Sequence, residues 1–300
     1  MDKKQRIEEC YTKIERHEKD LNSFITLRDK ETILAELSES QNYTSPLAGL
    51  PYILKDAYVT TGIQTTAGSN VLKGFIPAYD ATVYSKLKKA GAILLGKMNM
   101  DAWGHGSSTE NTDFGVTHNP WDLSRVAGGS GGGPAAAISA GFASFAIGED
   151  TGGSIRNPAA WTGTTGLKVT YGRVSRFGAI PYVSSFATVG PVAKTVKECA
   201  IILREIAGVD PYDGTSSPES VPDYVQGLDR SIRGLTIGIP TEMYGEGLDL
   251  QTKQAIMTAS KQFEKLGVKI VEVSLPIAQI GLAAYYLIAP SETSSNLSRY

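Results

Sequence analysis

Candidate nucleophiles and bases are few in this 300-residue chain. Only three histidines occur, His17, His105 and His118, and none stands at metal-ligand spacing to another donor, so zinc chemistry is not expected and no metal is assigned. His105 lies in a glycine-rich loop, where a structural hydrogen-bonding role is the plainer reading. The segment 128–132 has the form G-x-S-x-G around Ser130, but a hydrolase elbow needs its acid and histidine later in the chain, and no histidine follows position 118. A phosphate cradle is disfavoured as well, because no Gly-Lys-Ser/Thr follows and the residues before the loop do not read as a buried strand. A flexible linker is the bland alternative, weakened because the loop runs straight into Pro134 and a helical run.

A serine can also be activated at neutral pH by a lysine that burial keeps uncharged. Lys55 closes the apolar run 49–54. From position alone it reads as a solvated charge at a strand end; burial there would make it a base. Ser154 stands in the stretch Asp150-Thr151-Gly152-Gly153-Ser154-Ile155-Arg156, where a strand passes through two glycines into a helix at Pro158. Such a turn can aim successive N–H groups at whatever Ser154 attacks, which is how an oxyanion hole is made.

The elements that would hold these residues follow from periodicity. Apolar residues at helical spacing, Ile7, Cys10, Ile14, Leu21, Phe24 and Ile25, predict one surface helix over the first 28 residues, and 30–46 predicts a second short helix and a polar turn. Residues 49–54 predict a buried strand. Asp80 is expected as the N-cap of a helix ended by Gly91, with a strand at 92–95. Pro134 opens a helix ended by Gly141, and a strand follows at 142–147. Helices at 195–206 and 250–266 alternate with strands at 235–239 and 268–273. This alternation predicts an α/β fold with a largely parallel sheet.

Composition narrows the function classes. Apolar residues make up 41% and charged residues 20% of the chain, which suits a globular fold. The net charge of −2 and the absence of any run of five like charges give no footprint for nucleic acid. Cys10 and Cys199 offer no disulfide framework, the start lacks an apolar signal core, and no apolar run is long enough to span a membrane, so a cytoplasmic location is expected.

Three segments together resemble the amidase signature family: GLPYILKD around Lys55, GGSGGGPAAA around Ser130 and GEDTGGSIRNPAAWTG around Ser154, in order and separated by steps of 75 and 24 residues. Further stretches, among them TTAGSNVL (65–72), GKMNMDAWGHGSSTENTDFG (96–115), NPWD (119–122) and GLKVTYGRVSRFG (166–178), resemble the branch formed by the A subunits of tRNA-dependent amidotransferases. The resemblance implies a central mixed, largely parallel twisted sheet with helices on both faces, and a division into an N-terminal helical segment (1–46) and an amidase signature domain (47–300). It implies a catalytic triad of Ser154 as nucleophile, Ser130 in a cis peptide as bridge and Lys55 as base, with Thr151, Gly152, Gly153 and Ser154 donating to the oxyanion.

The activity it implies is hydrolysis of glutamine to glutamate, with ammonia passed to a partner. Implied partners are the amidotransferase B and C subunits. The B partner would use ATP and Mg²⁺ and bind the Glu-tRNA(Gln) or Asp-tRNA(Asn) to be amidated; the small C partner would complete a heterotrimer. No cofactor is expected in this chain. Tyr285 or Tyr286 matches a tyrosine that contacts the glutamine, and the Arg and Asp expected to hold its carboxylate and amino group would lie beyond Tyr300. Where the family usually reads GGSSGGS, this chain has Gly131 and Pro134; the usual Gln and Cys after the nucleophile are Asn157 and Thr162, and the usual SLDQ reads Ser185-Phe186-Ala187-Thr188. The two lost loop hydroxyls predict a less rigid loop. A stand-alone amidase acting on a small amide and a truncated, catalytically silent scaffold are the competing readings.

Overall fold

A computed structural model describes residues 2–39 and 43–300. Part of the polar turn expected before residue 46 lies outside the described residues. The first helix, α1 (Lys3–Leu21), buries one stripe, Ile7, Cys10, Tyr11, Ile14 and Leu21. It does not continue to residue 28. Asn22 takes up the left-handed C-cap conformation at φ 51°, and the Glu18 carboxylate accepts from the Ser23 hydroxyl and the Phe24 N–H, turning the chain off the helix. Phe24–Leu27 then forms strand β1.

The chain continues through α2 (Lys30–Glu39), β2 (Pro51–Lys55), α3 (Thr82–Lys89) and β3 (Ile93–Met98). A small hairpin, β4 (His118–Asn119) and β5 (Asp122–Val126), precedes α4 (Gly132–Ala140), β6 (Phe145–Asp150), α5 (Arg156–Thr162), β7 (Thr165–Gly166), β8 (Thr188–Ala193) and α6 (Val196–Ile206). Asp80 does not cap α3: the N-cap is Ala81, and the Asp80 carboxylate instead accepts from the Thr61 N–H at 2.7 Å. Thr195 and Glu198 form a reciprocal capping box that starts α6.

Six strands make one sheet in the order β1-β3-β2-β6-β8-β7. Only its centre is parallel, β3 with β2 and β2 with β6; β1, β8 and β7 all pair antiparallel. The sheet is therefore mixed rather than largely parallel. Alternate residues of β2 feed two cores, as the two-residue period of a strand requires. Tyr52 and Leu54 join Phe145, Ile147, Leu87 and Ile202 on the face of α3 and α6, whereas Ile53 joins Ala146, Ile7, Ile33 and Ile138 on the face of α1, α2 and α4.

The compact units divide at 225/226 rather than at 46/47. The first comprises residues 1–225 with 292–300, and α1 and α2 share its core with the sheet. The short helix α7 (Tyr224–Gly227) crosses the division. The second unit, residues 226–291, contains β9 (Thr236–Pro240) and β10 (Lys269–Val273) as a parallel pair, with α8 (Leu250–Lys265) between them in the chain. The last helix, α9 (Ala278–Leu297), begins in the second unit and ends in the first.

Candidate active site

All five residues of β2 are buried, and the strand carries Lys55 at its C-terminal end into the interior, 1% exposed. A solvated strand-end charge is thereby excluded. Lys55 Nζ lies 2.8 Å from Ser130 Oγ. Burial holds the Lys55 ammonium below the ordinary lysine range, while Glu149, Asp101 and Asp150 pull the other way. A lysine in this state gives up its proton more readily than one in water, which is what a base needs.

Ser130 follows a cis Gly129–Ser130 peptide in the loop that leads into α4. A Cβ at Gly129 would come within 2.2 Å of Asp101 Oδ2 and 2.6 Å of the Ser108 nitrogen, so only glycine fits there. The loop is tied from several sides. Gly129 N–H donates to Asn157 Oδ1 at 3.0 Å, Asp101 N–H donates to the Ser130 carbonyl at 3.2 Å, and Thr109 Oγ1 donates to the Gly128 carbonyl at 2.8 Å. Asn157, which replaces the family's usual glutamine, thus braces the loop that lacks two hydroxyls.

Ser154 sits in the turn between β6 and α5, 8% exposed, and among the described residues its Oγ makes no hydrogen bond. Its carbonyl accepts from Gly131 N–H at 3.2 Å, which joins its turn to the Ser130 loop. Asp150, at the end of β6, organises that turn. Its carboxylate accepts from the N–H groups of Gly153 (3.0 Å), Ile155 (3.1 Å) and Arg156 (3.2 Å), and from Nε and Nη2 of Arg156 (3.1 and 2.9 Å). Burial acts to raise the Asp150 carboxyl, but these donors and the Arg156 charge outweigh it and hold it below the usual carboxylate range. The Gly153 N–H, one of the four expected oxyanion donors, is engaged by Asp150.

Several of these partners were not singled out by sequence reasoning. Lys97, in the apolar strand β3, lies 2.9 Å from Asp56 Oδ1 and donates to the Tyr58 carbonyl (2.7 Å) and Thr65 Oγ1 (2.8 Å), with both members of the ion pair wholly buried. Asp56 directly follows Lys55, so this pair anchors the turn beyond Lys55. A lysine inside the run ILLGKM was the available signal. Asp101 accepts from the N–H groups of Thr109 and Asn111, each at 3.0 Å, and shapes the 101–111 loop behind Gly129. His105 is half-buried and packs edge-on against Tyr182 at 4.4 Å between ring centroids. Tyr285 and Tyr286 lie on α9 in the second unit, edge to face with each other at 5.9 Å, and Lys55, Ser130 and Ser154 lie in the first. Among the described residues no group of three His, Cys, Asp or Glu is placed to hold a metal, and no helix is long and apolar enough to cross a membrane.

The A subunit of glutamyl-tRNA(Gln) amidotransferase from Chromohalobacter salexigens is 50% identical over 292 residues, covering 96% of this chain and 60% of the relative. That of Geobacillus kaustophilus is 49% identical over 300 residues, covering 98% and 62%. The chain thus spans about three fifths of the length of these relatives. Among solved structures, the A subunit of the Thermotoga maritima glutamyl-tRNA(Gln) amidotransferase is similar at a TM-score of 0.92 and 37% identity, over 98% of this chain and 63% of that one. The peptide amidase of Stenotrophomonas maltophilia is similar at 0.89 and 32%, over 100% and 64%. The family model Amidase matches residues 5–300, and the chain belongs to the amidase family its three motifs resemble.

Proposed function

We propose that this chain is the glutamine-hydrolysing portion of a tRNA-dependent amidotransferase, and that Lys55, Ser130 and Ser154 are its triad. The observation that carries the reading is the 2.8 Å contact between buried Lys55 Nζ and Ser130 Oγ, with the Ser130 loop bonded to the Ser154 turn through Gly131. The similarity to amidotransferase A subunits supports the assignment.

In this reading uncharged Lys55 takes a proton from Ser130 as Ser130 takes one from Ser154, and Ser154 Oγ attacks the side-chain amide carbon of glutamine. Backbone N–H groups of Thr151, Gly152 and Ser154 face the oxyanion that forms. The relay returns the proton to the amide nitrogen, ammonia leaves, and a glutamyl ester remains on Ser154. Water, deprotonated by the same relay, hydrolyses the ester to glutamate. The ammonia is used by the B partner, which supplies ATP, Mg²⁺ and the misacylated tRNA, with the C partner completing a cytoplasmic heterotrimer. The near-neutral charge of this chain agrees with tRNA binding residing on the partner.

The test uses the full-length chain assembled with its partners. Ser154→Ala is expected to abolish glutamine-dependent amidation and to leave ammonia-dependent amidation intact; loss of both activities overturns the reading. The fold shared with the peptide amidase favours a second reading, a stand-alone amidase that releases ammonia to water. Stable co-purification with an ATP-using, tRNA-binding protein excludes that alternative. Covalent labelling of Ser154 by a serine-directed electrophile excludes a silent scaffold.

A further inference from the structure

Thr109, in the loop behind Gly129, is unusual in both its backbone and its side chain. Its φ is 61°, in the left-handed region, where a β-branched side chain crowds its own backbone. It is wholly buried. Glycine or asparagine adopts this conformation at lower cost, so a threonine here calls for a compensating contact.

The Ser130 loop supplies that contact. A hydroxyl offers one donor and two acceptor sites, and Thr109 Oγ1 uses both kinds. It donates to the Gly128 carbonyl at 2.8 Å and accepts from the Gly132 N–H at 3.0 Å. Gly128 and Gly132 bracket Ser130, two positions away on either side. One side-chain oxygen therefore spans the loop and sets the separation of its ends. The fit is close, since a Cβ at Gly132 would stand 2.4 Å from Thr109 Oγ1.

Asp101 holds Thr109 in its strained conformation. Its Oδ2 accepts from the Thr109 N–H at 3.0 Å, and its own N–H donates to the Ser130 carbonyl at 3.2 Å. Gly106 and Gly129 press against its carboxylate; a Cβ on either would come within 2.2 Å of it. Asp101 and Thr109 thus grip main-chain atoms of every second residue in the loop, Gly128, Ser130 and Gly132. The Ser130 hydroxyl is left to meet Lys55 Nζ at 2.8 Å.

We infer that Thr109 is a positioning residue of the proton relay: its hydroxyl, presented by a strained backbone, fixes the Ser130 loop so that Ser130 Oγ stays within reach of Lys55. The inference rests on the triad reading above and adds to it a residue that acts through Ser130 rather than on the substrate.

The experiment measures glutamine hydrolysis by the full-length protein and by its Thr109→Val, Thr109→Gly and Thr109→Ser variants. Thr109→Val keeps the shape and deletes the hydroxyl. It is expected to lower kcat about 30- to 100-fold with KM within about twofold of wild type, the pattern of a displaced reacting group. Thr109→Gly deletes the hydroxyl and also relieves the backbone, yet is expected to lower kcat by a similar factor. Thr109→Ser keeps the hydroxyl and is expected to hold kcat within about threefold of wild type. A purely structural role would instead make glycine the better tolerated of the two hydroxyl-free variants, in activity as in stability. Folded valine or glycine variants with kcat within about threefold of wild type, a loss carried by KM, or a folded serine variant as impaired as the other two would overturn the proposal. Insolubility of both hydroxyl-free variants overturns it as well, because Thr109 would then serve folding. In each of these cases an active wild type leaves the triad reading standing. A wild type that neither hydrolyses glutamine nor is labelled at Ser154 overturns that reading, and this proposal with it.

Discussion

Gly131 N–H donates to the Ser154 carbonyl at 3.2 Å, so the Ser130 loop and the Ser154 turn meet backbone to backbone. This close approach explains the glycine. A Cβ at position 131 would stand 2.7 Å from that same carbonyl oxygen, too near for either backbone to stay where it is.

Gly131→Ser, which restores the family's usual residue, is therefore expected to destabilise this chain by about 1–3 kcal/mol, the usual cost of overpacking a tight interior. The check is the urea midpoint together with the rate of Ser154 labelling. Unchanged values would mean that the two loops separate freely.

The pH dependence follows from Lys55. Its folded pKa is depressed by burial, so the folded protein binds fewer protons than the unfolded chain as pH falls below the ordinary value of 10.5. Reactivity of Ser154 towards an electrophile should accordingly rise with pH, with a midpoint below 10.5, as Lys55 loses its proton. Lys55→Arg should abolish labelling across the range, because guanidinium stays charged. A flat profile in the wild type would contradict Lys55 as base.

Asp150→Asn should cost on the order of 1.5–3 kcal/mol, the range for hydrogen bonds to a charged group, and should slow Ser154 labelling. The mutant amide cannot accept from three N–H groups and the Arg156 guanidinium at once. The sign with pH is that of a depressed carboxyl: the stabilisation is present above its unfolded pKa and is lost as pH falls through the lower folded value. Stability curves of wild type and variant should converge in that acid window.

Lys97→Met should destabilise the fold by about 3–5 kcal/mol, because it leaves the Asp56 carboxylate buried beside a methylene chain. The double variant Asp56→Leu with Lys97→Met should recover part of that loss, which chemical denaturation of the three proteins will show. A single variant as stable as wild type would remove the ion pair from the account of how Lys55 is held.

Much of this architecture is legible in local pattern. The Thr195–Glu198 capping box, the glycine stops at 91 and 141, and the apolar run that carries Lys55 each depend on neighbours within a turn or a strand, and each appears in the fold. The three motif segments also name their residues without any coordinates. Two features are not local. Phe24 and Ile25 fit a helical stripe, yet Glu18 and Asn22 end the helix and β3 offers Phe24–Leu27 a strand partner far along the chain. The antiparallel course of β8 against β6 depends on which edge the returning chain meets, and residue spacing carries no record of it.

The chemistry divides in the same way. That Ser154 and Lys55 are candidates follows from residue type and motif. That Lys55 reaches Ser130 across 75 positions and that Asp150 takes the Gly153 N–H are contacts that the fold decides. Side-chain period tells which face a residue occupies; only the packed chain tells what stands opposite, and burial against those partners shifts the protonation of Lys55.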